Sequence, residues 1–129
     1  MIHIYTDGAC RGNPGPGGWG AIIIENGRKR ALSGADKNTT NNRMEMMAVI
    51  QGLAEVSESA AVTVFSDSQY VVNTMLRGWK RRANLDLWGR LDVEVAVRRV
   101  EWRWVRGHAG DPLNEEADHL ATAAARAGL

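Results

Sequence analysis

Four acidic residues that lie far apart in the chain constrain the fold more than any other feature. Each sits in its own short motif, and together they span most of the 129 residues: Asp7, Glu45, Asp67 and Asp118. A hard divalent cation binds several oxygen ligands at one point, so a fold that uses these acids together must bring separate segments into contact. The sequence therefore predicts a metal site assembled by tertiary structure, which is typical of phosphodiester hydrolases.

Length and composition predict one globular domain that spans residues 1–129. The chain is 44% hydrophobic and 24% charged, which is ordinary for such a domain. It contains no apolar run of about 18 residues, and its N-terminus does not resemble a signal peptide. The single Cys10 cannot form an intrachain disulfide, in agreement with a reducing compartment. We expect a cytoplasmic monomer that binds no membrane.

Apolar periodicity predicts a mixed α/β chain. Alternation and turn residues indicate strands over 2–7, 19–25 and 29–35, with a hairpin turn between the last two. Strands and helices then alternate: a helix over 43–56 with Thr40, Asn41 or Asn42 as N-cap, a strand over 61–67, helices over 68–79 and 85–99, a strand over 100–105, and a helix from Pro112 onwards. The order βββαβααβα indicates a mixed sheet with helices packed on it.

This order places the four acids where they can meet at one rim of the sheet. Asp7 and Asp67 fall at strand ends, whereas Glu45 and Asp118 fall on helices. We expect the last helix to bury one stripe, made of Leu113, Ala117, Leu120 and Ala124. We also expect Trp102 and Trp104 to lie in the core or to pack between helix and sheet.

A basic segment follows the third acid. Residues 68–85 contain no acid, and their cations cluster around Trp79: Arg77, Lys80, Arg81 and Arg82. Such a cluster could contact a phosphate backbone while the aromatic ring packs on sugar or base. A solvated basic turn is the alternative. Charge alone does not decide between the two, since the net charge of the chain is only +1.

The motifs closely resemble those of a type 1 ribonuclease H, from about Ile4 to Ala125. They appear in the order of that family: TDGACRGNPGPGGWGA, TTNNRMEMMA, SDSQYV, NLDLWGRLD, VRGHAG and NEEADHLA. The resemblance implies a ribonuclease H-like fold, with a five-stranded mixed sheet flanked by helices. It also implies an endonuclease that hydrolyses the RNA strand of RNA–DNA hybrids and leaves 5′-phosphate and 3′-hydroxyl ends.

By this resemblance, Asp7, Glu45, Asp67 and Asp118 are catalytic residues that bind two Mg²⁺ ions, with Mn²⁺ as a substitute. His108 matches the loop histidine that serves in proton transfer or product release. Carboxylate, water and phosphate oxygens are the ligands that Mg²⁺ prefers, so a site without Cys or His ligands suits it.

The resemblance also implies how the substrate is bound. Asn13, Asn42 and Gln69 match positions that read 2′-hydroxyls in the minor groove. Other matched or neighbouring positions complete the predicted binding surface: Cys10, Asn41 and Ser68 beside the groove-reading residues, Thr40 and Asn84 on a phosphate of the DNA strand, and Trp79, Lys80 and Arg81 in the basic segment. Each asparagine taken alone would more simply be a turn residue or a helix cap.

The chain departs from many bacterial relatives in one place. A basic, tryptophan-rich insertion is missing before NLDLW, and only RGWKRRA remains. RNA–RNA duplexes therefore stay open as a second substrate. Two other classes stay as alternatives: a duplex-binding module without activity, and a resolvase or integrase of the same superfamily. The complete set of acids with His108 favours the enzyme.

Overall fold

The computed structural model describes residues 1–107 and 110–127. The elements follow the predicted order βββαβααβα: β1 (Ile2–Cys10), β2 (Gly15–Glu25), β3 (Arg28–Thr39), α1 (Asn41–Ala54), β4 (Ala61–Ser66), α2 (Gln69–Arg77), α3 (Leu85–Ala96), β5 (Arg99–Trp104) and α4 (Pro112–Ala127). The predicted α/β fold is confirmed. None of the described helices is long and apolar enough to cross a membrane.

The five strands form one mixed sheet in the order β3-β2-β1-β4-β5. The first three strands pair antiparallel, whereas β4 pairs parallel with β1 and β5 pairs parallel with β4. The sequence predicted Asp7 at the end of a strand, but it lies inside β1, because β1 continues to Cys10 through its pairing with β2. Thr6 pairs with Ser66 at the last position of the β1–β4 register. This register brings Asp7 and Asp67, the residues that follow, to one end of the sheet.

Four elements differ from the predicted ranges by three or more residues: β1, β2, β3 and α3. β2 and β3 are longer than expected, because the polar residues 36–39 pair with the glycine-rich segment through a register shift at Gly15 and Gly17. α3 ends at Ala96 rather than continuing to 99. Arg98 folds back there and donates to the backbone oxygens of Glu94, at 2.9 Å, and Val56, at 2.7 Å.

The two faces of the sheet are packed differently. On the face covered by α1, α2 and α3, large apolar side chains make the core, for example Ile4, Met46, Leu53, Trp88 and Leu91. On the other face, α4 packs on β1, β2 and β3. The buried residues of α4 are all alanines: Ala117, Ala121 and Ala125.

The buried stripe of α4 therefore corrects the sequence prediction. Only Ala117 of the four predicted residues is buried, while Leu113, Leu120 and Ala124 are half-buried. The reason is the close approach of α4 to β2. A Cβ atom at Gly20 would lie 2.5 Å from the Ala117 oxygen, and one at Gly18 would lie 2.4 Å from the Ala121 oxygen. Only small side chains fit where the helix meets the strand so closely.

Candidate active site

Three of the four predicted acids form one compact group. Asp7 lies in β1, Glu45 in α1 and Asp67 directly after β4. One carboxylate oxygen from each lies within 4.8 Å of the others, and the side chains are buried or half-buried. Thr40 caps α1 by accepting a hydrogen bond from the Arg43 N–H, which fixes the start of the helix that carries Glu45. A position inside β1, a capped helix and the residue after β4 thus deliver one carboxylate each to the same point.

Glycines let the backbone approach these acids closely. A Cβ atom at Gly8 would lie only 2.4 Å from the Glu45 nitrogen, so α1 can lie against β1 at this position only if the residue has no side chain. Gly107 likewise lies close to Asp67, since a Cβ atom at Gly107 would lie 2.8 Å from Asp67 Oδ2. These close approaches determine where Glu45 and Asp67 meet.

The three-acid group carries a strong electrostatic conflict. Burial, followed by repulsion from Asp67, raises the pKa of Asp7 to about 7. Burial also raises the pKa of Glu45 well above its usual range, and Asp7 and Asp67 add to this shift. Asp7 is partly compensated, because its Oδ1 accepts the Gly8 N–H at 2.8 Å. A cation bound among these carboxylates would relieve the repulsion.

Two buried oxygens of the group point to the same conclusion. Glu45 Oε1 and Asp67 Oδ1 have no hydrogen-bond partner among the residues that the structure describes. Buried polar atoms are almost always paired, so unpaired carboxylate oxygens indicate a missing positive partner. The donor set is entirely oxygen, which suits a hard divalent cation such as Mg²⁺ or Mn²⁺. The group therefore fits the metal that the sequence predicts.

Asp118 lies beside this group but outside it. It lines the same narrow cleft as Asp7 and Asp67, on the side formed by α4. Burial and the charge of Asp67 raise the pKa of Asp7 most, and the Asp118 carboxyl raises it further. The structure thus brings the fourth predicted acid to the site, although Asp118 is not one of the three acids whose oxygens all lie within 4.8 Å of one another.

The cleft also contains polar residues that the sequence analysis missed. Asp111, Asn114 and Glu115 line it together with Asp118. Asp111 caps α4, because its Oδ1 accepts the Leu113 N–H at 3.0 Å. The i, i+4 spacing of Asn114 and Asp118 places both on one side of the helix, and this signal could have identified Asn114.

Next to the cleft, the predicted role of Trp104 is wrong and that of Trp102 is right. Trp102 is buried in the core, but Trp104 is 45% exposed. Its indole nitrogen donates to the backbone oxygen of Asp67 at 3.1 Å. Trp104 lies at the last position of β5, at an edge of the sheet. His108, the predicted proton-transfer residue, lies outside the described residues.

The predicted groove-reading residues lie around two helix starts. Asn13 Oδ1 accepts the Asn41 N–H at 3.0 Å and so joins the β1–β2 turn to α1. The Cys10 thiol, in the same region, donates to the backbone oxygens of Gly15 and Thr39. Asn41 and Asn42 are exposed. Asn13 therefore has a structural contact that does not use its amide nitrogen.

The second helix start follows Asp67 directly. Ser68 is buried and caps α2, since its hydroxyl oxygen accepts the Val71 N–H at 3.1 Å. Gln69 is exposed at the first position of that helix. Ser68 therefore has a capping contact within the fold, whereas Gln69 is exposed beside Asp67.

The basic segment divides into two kinds of residue. Trp79 is 45% exposed, and Lys80 and Arg82 are also exposed. Arg81 instead pairs with Asp92, with Nη2 2.9 Å from Oδ1, and lies over the Trp88 ring at 4.8 Å from its centroid. Arg81 is therefore already part of the folded structure, whereas its neighbours face solvent.

Comparisons with known proteins agree with these features. The family model for RNase H matches residues 1–126. The ribonuclease H of Nitrosococcus oceani is 50% identical over 96% of this chain and 93% of the relative, and that of Pseudomonas aeruginosa is 52% identical over 94% and 90%. The solved LC11-RNase H1, in complex with an RNA/DNA hybrid, has a TM-score of 0.83 and 27% identity over 98% of both chains. The chain therefore belongs to the ribonuclease H family of enzymes.

Proposed function

We propose that this enzyme cuts the RNA strand of RNA–DNA hybrids internally. The observation that carries the proposal is the compact Asp7, Glu45 and Asp67 group, with unpaired buried oxygens, in a chain of the ribonuclease H family. The LC11 relative supports the choice of substrate, because it was solved with an RNA/DNA hybrid. Whether RNA–RNA duplexes are also cut stays open.

Asp7, Glu45 and Asp67 would hold one divalent cation, and Asp118 would complete a second position in the same cleft. Mg²⁺, with Mn²⁺ as a substitute, supplies activation of the attacking water and stabilisation of the leaving 3′-oxygen in such sites. The raised pKa values of Asp7 and Glu45 mean that these residues release protons when they bind a cation. We infer products with 5′-phosphate and 3′-hydroxyl ends, and a role for His108 in proton transfer or product release.

The residues around the cleft would choose the substrate. Asn13, Asn42 and Gln69 would contact 2′-hydroxyls, with Cys10, Asn41 and Ser68 beside them, while Thr40 and Asn84 would hold a phosphate of the DNA strand. Trp79 and Lys80 are exposed and could contact the backbone further away. We further propose that the enzyme is cytoplasmic and monomeric and consists of a single domain.

Labelled duplexes test this function directly. RNA–DNA, RNA–RNA and DNA–DNA duplexes of one sequence would be incubated with the enzyme in Mg²⁺, in Mn²⁺ and in EDTA. We expect cleavage of the RNA strand of the hybrid in either metal and none in EDTA. Products should accept a 5′ label from a kinase only after phosphatase treatment. Cleavage of the DNA–DNA duplex, or metal-independent cleavage, would refute the proposal.

A further inference from the structure

Arg43 links the two segments that carry the predicted phosphate ligands Thr40 and Asn84. Its backbone N–H donates to Thr40 Oγ1 at 3.3 Å. Its guanidinium crosses to the start of α3, where Nη1 donates to Asn84 Oδ1 at 3.2 Å. One residue therefore contacts both side chains, although Thr40 and Asn84 lie far apart in sequence.

Asp86 fixes the guanidinium in this place. Arg43 Nη1 and Nη2 donate to the two oxygens of Asp86 at 3.0 and 2.7 Å. Such paired contacts restrict the plane of the guanidinium as well as its position. The third contact, to Asn84, therefore comes from a group that is already oriented.

The amide of Asn84 is held from both ends. Its oxygen accepts from Arg43, and its nitrogen donates to the Tyr70 hydroxyl at 3.1 Å. The same hydroxyl accepts the Trp88 indole N–H at 3.1 Å. Asn84 also has a left-handed backbone, with φ 58° and ψ 33°, which asparagine tolerates better than most residues.

Arg43 decides which way the amide of Asn84 points. A hydroxyl both donates and accepts, so Tyr70 alone could pair with either end of that amide. A guanidinium only donates hydrogen bonds, so it can pair with this amide only when the amide oxygen faces it. The NH₂ group of Asn84 then points away from Arg43. One of its two hydrogens bonds to Tyr70, and the other remains available as a donor.

Thr40 is oriented in a similar way. Its hydroxyl oxygen accepts the Arg43 N–H, so its own hydrogen is directed elsewhere. An NH₂ group and a hydroxyl that both present hydrogens suit an anionic phosphate oxygen. We propose that Arg43 is a positioning residue, which presents Thr40 and Asn84 to a phosphate of the substrate as hydrogen-bond donors without touching the phosphate itself. This inference rests on the proposed function, since it takes the phosphate to belong to the bound hybrid.

Uncharged linkages in the substrate test this role. Single methylphosphonates would be placed one at a time along the DNA strand of a hybrid, and Kd would be measured by fluorescence anisotropy in EDTA. For the wild-type enzyme we expect one linkage to weaken binding about tenfold, because charge-assisted hydrogen bonds are lost there. In Arg43→Met the same linkage should change Kd less than about twofold, because the contact is already broken.

Two further variants separate positioning from folding. Asp86→Asn removes the ion pair and loosens the guanidinium, but the Arg43 contact to Asn84 can still form. It should therefore lower Tm about as much as Arg43→Met, yet the uncharged linkage should still weaken binding by more than the roughly twofold expected for Arg43→Met. Asn84→Asp keeps an oxygen towards Arg43 but loses the NH₂ donor. It should therefore lose the linkage effect while Tm is maintained.

The outcomes are decisive in either direction. The inference is overturned if Arg43→Met keeps the wild-type linkage effect, if Asp86→Asn loses it as completely as Arg43→Met, or if no linkage affects the wild type. Cleavage of the unmodified hybrid in Mg²⁺ reports the proposed function separately, because the Kd measurements need no turnover. An enzyme that cleaves hybrids but shows no linkage effect would contradict this inference and leave the proposed function standing.

Discussion

The two faces of the sheet hold their helices in different ways. The face under α1, α2 and α3 is filled by large side chains such as Leu53, Trp88 and Leu91. Under α4, Ala117, Ala121 and Ala125 lie directly against glycines of β2. Large side chains can adjust to a shift of a helix, whereas backbone in contact with backbone cannot. The position of α4 on the sheet is therefore more rigidly determined than the positions of α1, α2 and α3.

This difference matters because each face delivers an acid to the cleft. Glu45 comes from α1, at a position of that helix where Gly8 allows close backbone contact with β1. Asp118 comes from α4, next to the contact between Ala117 and Gly20. Gly20 pairs with Asp7 in the β1–β2 register. Close backbone contacts thus occur where an acid must be placed, even on the face that is otherwise packed with large residues.

The largest expected effect is the loss of an acid from the compact group. Glu45→Gln removes a ligand charge and keeps the shape of the side chain, so kcat should fall at least about 100-fold, or about 2.7 kcal/mol in barrier terms. Asp67→Asn and Asp7→Asn should behave alike. Steady-state cleavage of a hybrid in Mg²⁺ measures this, with circular dichroism as the control for folding. Retention of more than about a tenth of the wild-type kcat would contradict the metal assignment.

The metal-free protein should also lose stability as the pH rises. The folded-state pKa of Asp7, about 7, lies above the ordinary carboxyl value, and that of Glu45 is raised too. The folded state therefore holds protons that the unfolded state releases. Stability from this source is present below about pH 4 and is lost as the pH rises through about 7. In EDTA, Tm should be lower at pH 8 than at pH 5.5.

Two comparisons assign that pH dependence to the acids. Glu45→Gln should raise Tm at pH 8 in EDTA and make the Tm profile flatter, because one repelling charge is gone. Mg²⁺ should raise the wild-type Tm more at pH 8 than at pH 5.5, since protons compete with the cation for the carboxylates. A Glu45→Gln profile as steep as that of the wild type would show that the pH dependence arises elsewhere.

A single methyl group tests the difference between the faces. Gly20→Ala places Cβ against the backbone of Ala117, so it should destabilise the protein by about 1–3 kcal/mol and displace Asp118. Gly89→Ala is the matched control in α3, because a Cβ there meets nothing within 4 Å in the described part of the chain. It should stabilise the helix by up to about 1 kcal/mol. Urea unfolding measures both, and equal effects would remove the distinction between the faces.

Asp118→Asn should have a smaller effect than Glu45→Gln. Asp118 lies outside the compact group, so its loss leaves the three closely spaced carboxylates in place. We expect kcat to fall about tenfold, or about 1.4 kcal/mol. Titration of activity with Mn²⁺ should show the deficit at low concentration and its partial recovery at high concentration. A loss as large as that of Glu45→Gln would place Asp118 on equal terms with the other acids.

Much of this fold could be predicted from sequence, because local patterns determined it. The alternation in β1, the cap at Thr40 and the order of elements all depend on near neighbours in the chain. The stripe of α4 could not be predicted in this way. Leu120 is more apolar than Ala121, and only the glycines of β2, about a hundred residues earlier in the sequence, make the smaller side chain the buried one.

The site followed the same rule. Motifs identified the four acids, but their unequal distances depend on tertiary packing. The role of Arg43 was not visible in the sequence, because its contacts with Asn84 and Asp86 cross between α1 and the start of α3. The same is true of Arg81, which belongs by sequence to a basic run but by structure to the packing around Trp88.

The smallest expected effects concern the basic segment, in which Arg81 packs on the core and Lys80 and Arg82 lie at the surface. Arg81 packs on Trp88, a core residue of the large-residue face, and pairs with Asp92, so Arg81→Ala should lower Tm. Lys80 and Arg82 are exposed. If they contact substrate phosphates, Lys80→Ala/Arg82→Ala should leave Tm unchanged and weaken hybrid binding.

Salt dependence measures those contacts. The slope of log K against log salt changes by roughly 0.9 for each phosphate contact that is lost on duplex DNA, and a hybrid should behave similarly. Lys80→Ala/Arg82→Ala should therefore flatten the slope by roughly 1 to 2 units, while Arg81→Ala changes it less. A wild-type slope in the double variant would identify the segment as a solvated turn, and hybrid affinity would then have to arise from the residues around the two helix starts.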